Sequence, residues 1–552
     1  MTTNDLSMIF KFIGGLGLFL YGMNSMADGL QKSTGSKTKK LMGFLTNNRL
    51  MAVVVGALIT ALIQSSSAAT VMVVGFVNAG VLTLVQAVGV IMGANIGTTI
   101  TSWIVSMNEW GSVLKPEFFA PLLVGIGAFL LMFTKKEKKR EIGEILVGFG
   151  VLFIGLSFMS DAIKPYRDSE IFVKAFSVLG QNPILGILAG AGVTAIIQSS
   201  SASVSILQTL ALNGIVNWNS AVFITLGQNI GTCVTALISS TGAQKNAKRA
   251  AIIHLLFNMF GAILFGIIMF VLFQLRPVWA DSSINSVQIS IFHTIFNVGN
   301  TLLLFPFAKG LVKLSEMIVK DKEGEEEQVD VVTDVSSRLD KRILESPSFA
   351  IEAAVREVVH MGDITLENAK NAIQALKTND EGLVKKVFAR EKDINELEKI
   401  LTNYLVTVEN LSLNEKQHEL IKNLFYSVND IERIGDHAEN IVELATTKIN
   451  DNLSFSEDAL AGLDKITSNA FAAVENALIA RRDTNYEKVD AVEVYENNVD
   501  ALEDELREGH IVRLAKKECT AESGVIFLDV ISNLERISDH AHNIAGYVRD
   551  ER

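Results

Sequence analysis

The sequence predicts an all-α protein: a polytopic membrane half of two inverted repeats with re-entrant helical hairpins, followed by a cytoplasmic tandem of three-helix bundles. Charge is partitioned along the chain. Residues 1–319 hold 21 Lys and Arg against 12 Asp and Glu, whereas residues 320–552 hold 28 against 49. The run Gln64-Ser65-Ser66-Ser67 recurs as Gln198-Ser199-Ser200-Ser201, and no charged side chain occurs between Arg49 and Glu109 or between Lys174 and Lys245. Uncharged apolar stretches of that length belong in a bilayer. A cluster of amides and hydroxyls there is costly unless it meets a polar ligand, water or its own kind.

The first apolar stretch, 8–30, has Lys11 near its start and Asp28 near its end. It is too long for the apolar part of a signal peptide and lacks a basic leader, so it is expected to span. Further spans are expected at 83–107, 119–134, 142–163, 216–240, 250–274 and 287–308. The segments 50–80 and 184–214, which carry the polar runs, are each expected to fold back as two short helices. Irregular backbone at membrane depth is tolerated where protein or a water cavity surrounds it. Loop charge favours this over two plain spans. The loops at 31–49, 135–141 and 241–249 are rich in Lys and Arg, whereas 108–118 and 275–286 each hold one; the loop at 164–183 is less clean, with Lys164, Arg167 and Lys174. Placing the rich loops inside gives an external N-terminus, seven crossings and an internal tail. If each polar segment were a single span, that alternation would break.

The membrane half repeats. Gly15, Gly17, Gly22, Met26 and Asp28 match Gly148, Gly150, Gly155, Met159 and Asp161, and Gly93-Ala94-Asn95-Ile96-Gly97-Thr98 matches Gly227-Gln228-Asn229-Ile230-Gly231-Thr232. Three crossings separate the starts of the copies, so the second lies upside down, an architecture of many secondary transporters. The copies are expected at about 8–134 and 142–274, with 287–308 as an extra helix, in a transport domain over 1–315. A linker is expected at 316–346 and a helical domain at 347–552. There, Asp430–Ala438 resembles Asn533–Ala541, and Glu391–Glu398 resembles Glu496–Glu503. The long amphipathic patterns between them read as two three-helix bundles.

An oxyanion needs convergent donors. A Ser run, side-chain amides and the free N–H groups of a helix start supply them. The motif segments hold no Lys, Arg or His, so an anion among neutral dipoles would be strongly penalised unless cations accompanied it. Asn95, Thr98, Thr99, Asn229 and Thr232 offer oxygens suited to a small hard cation. Each ion would lower the cost of the other, which is symport stated as electrostatics. Ser and Gly in membrane helices also serve close packing, and interhelical hydrogen bonding is an alternative role for the two Asn segments. Asp28 and Asp161 are read as interfacial, and His254, His293 and Asn297 as packing or gating residues. The acidic tail argues against nucleic acid. Cys233 and Cys519 fall in different halves, which argues against a disulfide framework. No nucleophile–base pairing or nucleotide loop suggests an enzyme.

The paired motif resembles the sodium/phosphate cotransporter family, the type II group and its bacterial relatives, over about 1–315. The resemblance implies sodium-dependent transport of inorganic phosphate across the cell (inner) membrane. It implies phosphate determinants at Gln64, Ser65, Ser66, Ser67, Gln198, Ser199, Ser200 and Ser201, with co-transported Na+. Position 233 is Cys where the first copy has Thr99, so coordination there is not symmetric. Export, or a membrane-tethered phosphate-status regulator without transport, are the alternatives. The tail resembles PhoU, a phosphate-regulation protein, over about 345–550. That likeness implies a divalent or transition metal held by carboxylate pairs four apart: Glu432/Asp436, Glu535/Asp539 and Glu496/Asp500. The counterpart of the last pair is Glu391/Asn395, a departure from the pattern. Arg433 and Arg536 allow intrahelical ion pairs instead. A homodimer and a cytoplasmic signalling partner for the tail are compatible with this reading.

Overall fold

A computed structural model describes residues 3–34, 48–110, 115–166, 169–320 and 331–552. The chain divides into two compact units, Met1–Glu326 with Asp340–Phe349, and Glu327–Leu339 with Ala350–Arg552. Most of the expected 31–49 loop and part of the 108–118 loop lie outside the described residues, as do 167–168 and 321–330.

Among the described residues of the first unit, seven helices are long and apolar enough to cross a membrane: Asp5–Ser33, Leu84–Glu109, Pro116–Phe133, Glu137–Tyr166, Trp218–Ser239, Lys245–Leu275 and Ser286–Ile318. The two polar segments fold back. The first comprises Arg49–Ile63 and Ser66–Asn78, and the second Pro183–Ile197 and Ser200–Leu212. Their arms of 15 and 13 residues reach about 20 Å at 1.5 Å per residue, short of a hydrocarbon core of about 30 Å.

The Gln-Ser-Ser-Ser run is a stop-and-start signal. Gln64 and Gln198 both adopt the left-handed conformation, φ 56°, and end the first arm. Ser65 and Ser199 then cap the second arm, each Oγ accepting a backbone N–H, from Ala68 and Ala202, at 3.2 Å. A serine cap of this kind stabilises a helix start by about 1 kcal/mol.

The inversion is visible in reciprocal contacts. Gly15 packs on Gly155 and Gly22 on Gly148, so that a Cβ on any of the four would collide with the facing backbone. Gly15 and Gly22 are the repeat counterparts of Gly148 and Gly155, so each contact maps onto the other. The first helix of each copy therefore meets its counterpart antiparallel about a pseudo-twofold axis. Within each copy a hairpin docks on the following helix through another glycine. Side chains at Gly93 and Gly227 would strike the carbonyls of Val53 and Ile187.

Three local features differ from expectation. The helix expected at 83–107 is interrupted at Thr98, giving Leu84–Gly97 and Thr99–Ser106. The expected loop 164–183 contains a helix, Glu170–Gln181, that ends where Asn182 caps the first arm of the second hairpin. Within 316–346, residues from Asp340 onward belong to the first unit. Asp340 accepts from Asn78 Nδ2 at 2.7 Å and pairs with Arg342 at 2.6 Å. Arg342 Nε donates to the Ser239 carbonyl at 2.7 Å, and Phe349 meets Phe76 edge-on at 5.3 Å. This segment therefore clasps the end of the first hairpin to the end of helix Trp218–Ser239. Arg342→Ala should loosen the clasp by about 1–3 kcal/mol. Faster amide exchange at the C-terminal end of Ser66–Asn78 is the readout, and unchanged exchange there would contradict the clasp.

The second unit contains helix Pro347–Thr378 from Ala350 onward, Glu381–Glu409 and Glu415–Asn450, then Glu457–Asp483, Tyr486–Ala515 and Ala521–Asp550: two bundles of three helices. Apolar residues at helical spacing fill the core, for example Ile394, Leu397, Leu401 and Leu405 in one bundle and Val530, Ile537 and Ile544 in the other. The bundles are cross-linked by polar contacts. Asp430 accepts from the Tyr547 hydroxyl at 2.8 Å and lies 2.7 Å from His540 Nδ1. Asn423 Nδ2 donates to Glu551 Oε1 at 3.2 Å, and within the second bundle buried Arg481 pairs with the same Glu551 through both terminal nitrogens at 2.6 Å.

Candidate functional site

The two hairpin tips meet. Ser66 Oγ and Ser200 Oγ are 3.0 Å apart. Ser67 Oγ donates to the Gln198 carbonyl at 3.4 Å, and Ser201 Oγ donates to the Gln64 carbonyl at 3.5 Å. These last two bonds exchange under the repeat, so the tips form one pseudo-symmetric junction. Ser66, Ser67, Ser200 and Ser201 are buried; Ser65 and Ser199 are half-buried and occupied as caps. Two helix starts, Ser66–Asn78 and Ser200–Leu212, converge here with their unpaired N–H groups, which favours negative charge. Thr98 Oγ1 donates to Ser66 Oγ at 3.4 Å, joining the first Asn segment to the junction.

Symmetry fails at the glutamines. Gln64 is buried and its Oε1 accepts from Thr101 at 3.0 Å. Gln198 is exposed, and Thr235, the counterpart of Thr101, leaves its buried hydroxyl oxygen unpartnered. One half of the junction is thus latched and the other is open. Sequence reasoning missed Thr101, although its offset from Thr235 is the one that relates the serine runs.

The asparagines present oxygen rather than nitrogen. Asn95 Nδ2 donates to the Ile91 carbonyl at 2.8 Å, and Asn229 Nδ2 to the Thr225 carbonyl at 2.9 Å. These bonds identify the amide ends and turn each Oδ1 outward, a cation ligand rather than an anion donor. Asn95 Oδ1 has no partner among the described residues, whereas Asn229 Oδ1 faces His293 Nε2 at 3.4 Å. Thr99 and Thr232 spend their hydroxyl protons on the carbonyls of Ile96 and Gln228, keeping lone pairs available. Lys11, on the first membrane helix, pairs with Asp161 at 2.9 Å. Among the described residues no Lys or Arg hydrogen-bonds to the tips. The anion-binding capacity of the junction therefore rests on hydroxyls and backbone N–H groups.

In the second unit the carboxylate pairs divide. Glu496, Asp500 and Asp539 place one oxygen each within 4.8 Å of one another. Burial raises the Asp500 and Glu535 carboxyls, and the neighbouring Asp539 adds to both. In the other bundle Arg433 pairs with Asp436 at 3.0 Å and lies 3.7 Å from Glu432, the intrahelical ion pair that the sequence left open. Burial, and then Asp436, push the Glu391 carboxyl up to about 8. Such a carboxyl keeps its proton in the fold and releases it on unfolding. Its stabilising contribution is complete below the ordinary value of 4.5 and is lost as pH rises through about 8. Glu391→Gln should therefore stabilise the tail of the full-length protein in chelator-treated buffer above that pH and change little below 4.5. Amide exchange across Glu381–Glu409 reads this, and equal gains at both pH values would contradict the assignment.

Known proteins resemble the two parts of the chain separately. Residues 18–161 and 168–280 match the model of the Na+/Pi-cotransporter family, and residues 358–445 and 463–548 match the PhoU domain. A relative from Escherichia coli K12 named "Putative inorganic phosphate export protein YjbB" is 22% identical over 552 residues, covering 98% of each chain. "Uncharacterized protein YqeW" of Bacillus subtilis is 29% identical over 315 residues, 57% of this chain and 99% of that one. The crystal structure of PhoU from Pseudomonas aeruginosa aligns with 37% of this chain and 96% of its own at 24% identity, TM-score 0.35. Residues 18–280 thus carry the domain of the Na+/Pi-cotransporter family, and residues 358–548 a PhoU domain.

Proposed function

We propose that this protein moves inorganic phosphate across the cell membrane together with sodium, with the N-terminus outside and the PhoU domain in the cytoplasm controlling flux. The observation that carries the reading is the serine junction, with Ser66 Oγ and Ser200 Oγ 3.0 Å apart at the meeting of two helix starts. Phosphate would accept from the hydroxyls of Ser66, Ser67, Ser200 and Ser201 and from the free N–H groups behind them. Sodium beside Asn95 Oδ1 and the Thr98 and Thr99 oxygens would offset the anion's desolvation cost. Asn229 and Thr232 are the second-half counterparts in that role. Gln64 would close the site on one side while Gln198 leaves it open on the other.

Export has a specific observation in its favour, the name of the full-length Escherichia coli relative. Radiolabelled phosphate flux in proteoliposomes, with the sodium gradient imposed in either direction, tests both readings. Flux that follows the sodium gradient supports coupling. Flux indifferent to sodium sinks the symport reading, and no flux in either direction sinks transport itself.

The open and latched halves carry a further expectation. Alternation would release Gln64 from Thr101 and bring Gln198 to Thr235. Paired cysteines at 198 and 235, in a background with Cys233 and Cys519 replaced, should cross-link only under conditions that permit turnover. Cross-linking that ignores sodium and phosphate would contradict this alternation.

In the tail, the donor set of Glu496, Asp500 and Asp539 fits a hard divalent ion. Such an ion would neutralise three crowded carboxylates. These residues would hold it, and Glu535 lies on the same helix face four residues before Asp539. Divalent ions should raise the thermal stability of the full-length tail, and Asp539→Asn should remove that effect. Equal stabilisation of the variant would place the ion elsewhere.

A further inference from the structure

Buried unpartnered polar atoms lie along helices Lys245–Leu275 and Ser286–Leu304. Asn258 Oδ1, Asn297 Oδ1, Thr301 Oγ1 and His293 Nδ1 are all without a hydrogen-bond partner, and their residues are at most 5% exposed. Leaving one such group unsatisfied costs about 1–3 kcal/mol, so four in one region call for a ligand.

The chemistry of that ligand follows from which atoms remain free. Asn258 Nδ2 is occupied by the His254 carbonyl at 3.1 Å and by Cys233 Sγ at 3.4 Å. Asn297 Nδ2 is occupied by the His293 carbonyl at 2.9 Å. Asn229 Oδ1 lies 3.4 Å from His293 Nε2; as an acceptor it requires the proton on that nitrogen, which leaves His293 Nδ1 as a bare lone pair. The free atoms of Asn258, Asn297 and His293 are therefore acceptors; the Thr301 hydroxyl keeps its proton as well as its lone pairs, and His254, one turn before Asn258, has both ring nitrogens unpartnered, one of them an N–H. A cation satisfies acceptors and an anion does not. Neutral amide and hydroxyl oxygens do not hold a proton near neutral pH, and they supply too little charge for a divalent ion.

The acceptors also belong together. Asn300 Nδ2 donates to the Phe257 carbonyl at 3.0 Å, and Phe265 meets Phe296 edge-on at 5.3 Å. The two helices are therefore antiparallel, with Asn258 opposite the turn that holds Asn297 and Thr301. Cys233 and Asn229, one turn apart on helix Trp218–Ser239, close the seam from the third side. It has no counterpart in the first repeat, where the residue matching Asn258 is Val124 and no extra helix follows.

We propose that this seam is a sodium site separate from the serine junction, with Asn258, Asn297 and Thr301 supplying oxygen and His293 holding Asn229 beside it. Its role in transport rests on the sodium-coupled reading, whereas its binding of sodium does not. The test is equilibrium binding of radiolabelled sodium to the purified full-length protein in lipid nanodiscs without phosphate. Asn258→Leu and Asn297→Leu should each weaken sodium binding roughly tenfold or more, the loss of about 1.4 kcal/mol. They should also remove sodium-dependent thermal stabilisation, while Ser66→Ala retains the seam's share of bound sodium. Thr301→Val, a milder change, should shift binding in the same direction and serves if either leucine variant fails to fold.

A seam filled only by water or simply left void gives the opposite outcome. Replacing an unsatisfied amide with an apolar side chain would then leave sodium binding unchanged and keep or raise stability, and the proposal would fall. Sodium binding that depends on Asn297 in a protein without sodium-driven phosphate flux would sink the symport reading and leave the seam standing.

Discussion

Ser66→Ala and Ser200→Ala are each expected to cut phosphate flux by roughly ten- to a hundredfold, with the protein still folded and in the membrane. The magnitude follows from hydrogen bonds to a charged group, worth about 1.5–3 kcal/mol each. Both hydroxyls sit at the pseudo-twofold junction, 3.0 Å apart, so either truncation leaves the other serine without its partner and removes one donor from the anion. The fold should tolerate the change, because the helix starts are capped by Ser65 and Ser199 rather than by these residues. Ser65→Ala is the contrasting case. It should cost about 1 kcal/mol of stability through the lost cap and less flux than Ser66→Ala. Initial rates of phosphate flux, normalised to folded protein, decide this. Flux preserved in both Ser66→Ala and Ser200→Ala would remove phosphate from the junction.

Gly227→Val is expected to give the largest loss of stability, and Gly93→Val the equivalent loss in the other half. A Cβ at Gly227 would strike the Ile187 carbonyl, and one at Gly93 the Val53 carbonyl. In both cases the obstacle is backbone, which does not rotate away as a side-chain end would. Overpacking costs about 1–3 kcal/mol and occasionally more, and here it would push a hairpin off the helix that holds it. The expected result is a sharp fall in monodisperse protein on size-exclusion chromatography. Gly125→Ala is the control, since a Cβ there meets nothing within 4 Å. If Gly227→Val behaves like the control, the hairpin is not docked through that glycine.

Much of this architecture was legible because it is local or repeated. The Gln-Ser-Ser-Ser runs announce helix ends, since a residue that ends one arm and a serine that caps the next must be adjacent. The offset of 134 between Ser66 and Ser200 was readable as a duplication, and an odd number of crossings between copies made it an inverted one. The lost features depend on partners distant in sequence. Nothing local distinguishes Gln64 from Gln198, yet one is latched to Thr101 and the other is exposed. His293 and Asn297 look like ordinary polar residues on an apolar helix until the other end of each amide is traced. Asp340 and Arg342 sit in a charged stretch that reads as linker, and only their contacts with Asn78 and Ser239 reveal a clasp. The carboxylate pairs of the tail share one spacing but not one environment, because Arg433 occupies Asp436 whereas Asp539 faces Glu496 and Asp500.

Equilibrium phosphate binding to the purified full-length protein, in sodium and with potassium in its place, tests the joint ion site most directly. Phosphate should bind in sodium, lose most of its affinity in potassium, and bind neither Ser66→Ala nor Ser200→Ala with wild-type strength. Equal binding in both salts, or undiminished binding to the two serine variants, would contradict a sodium-dependent anion site at the meeting of the hairpins.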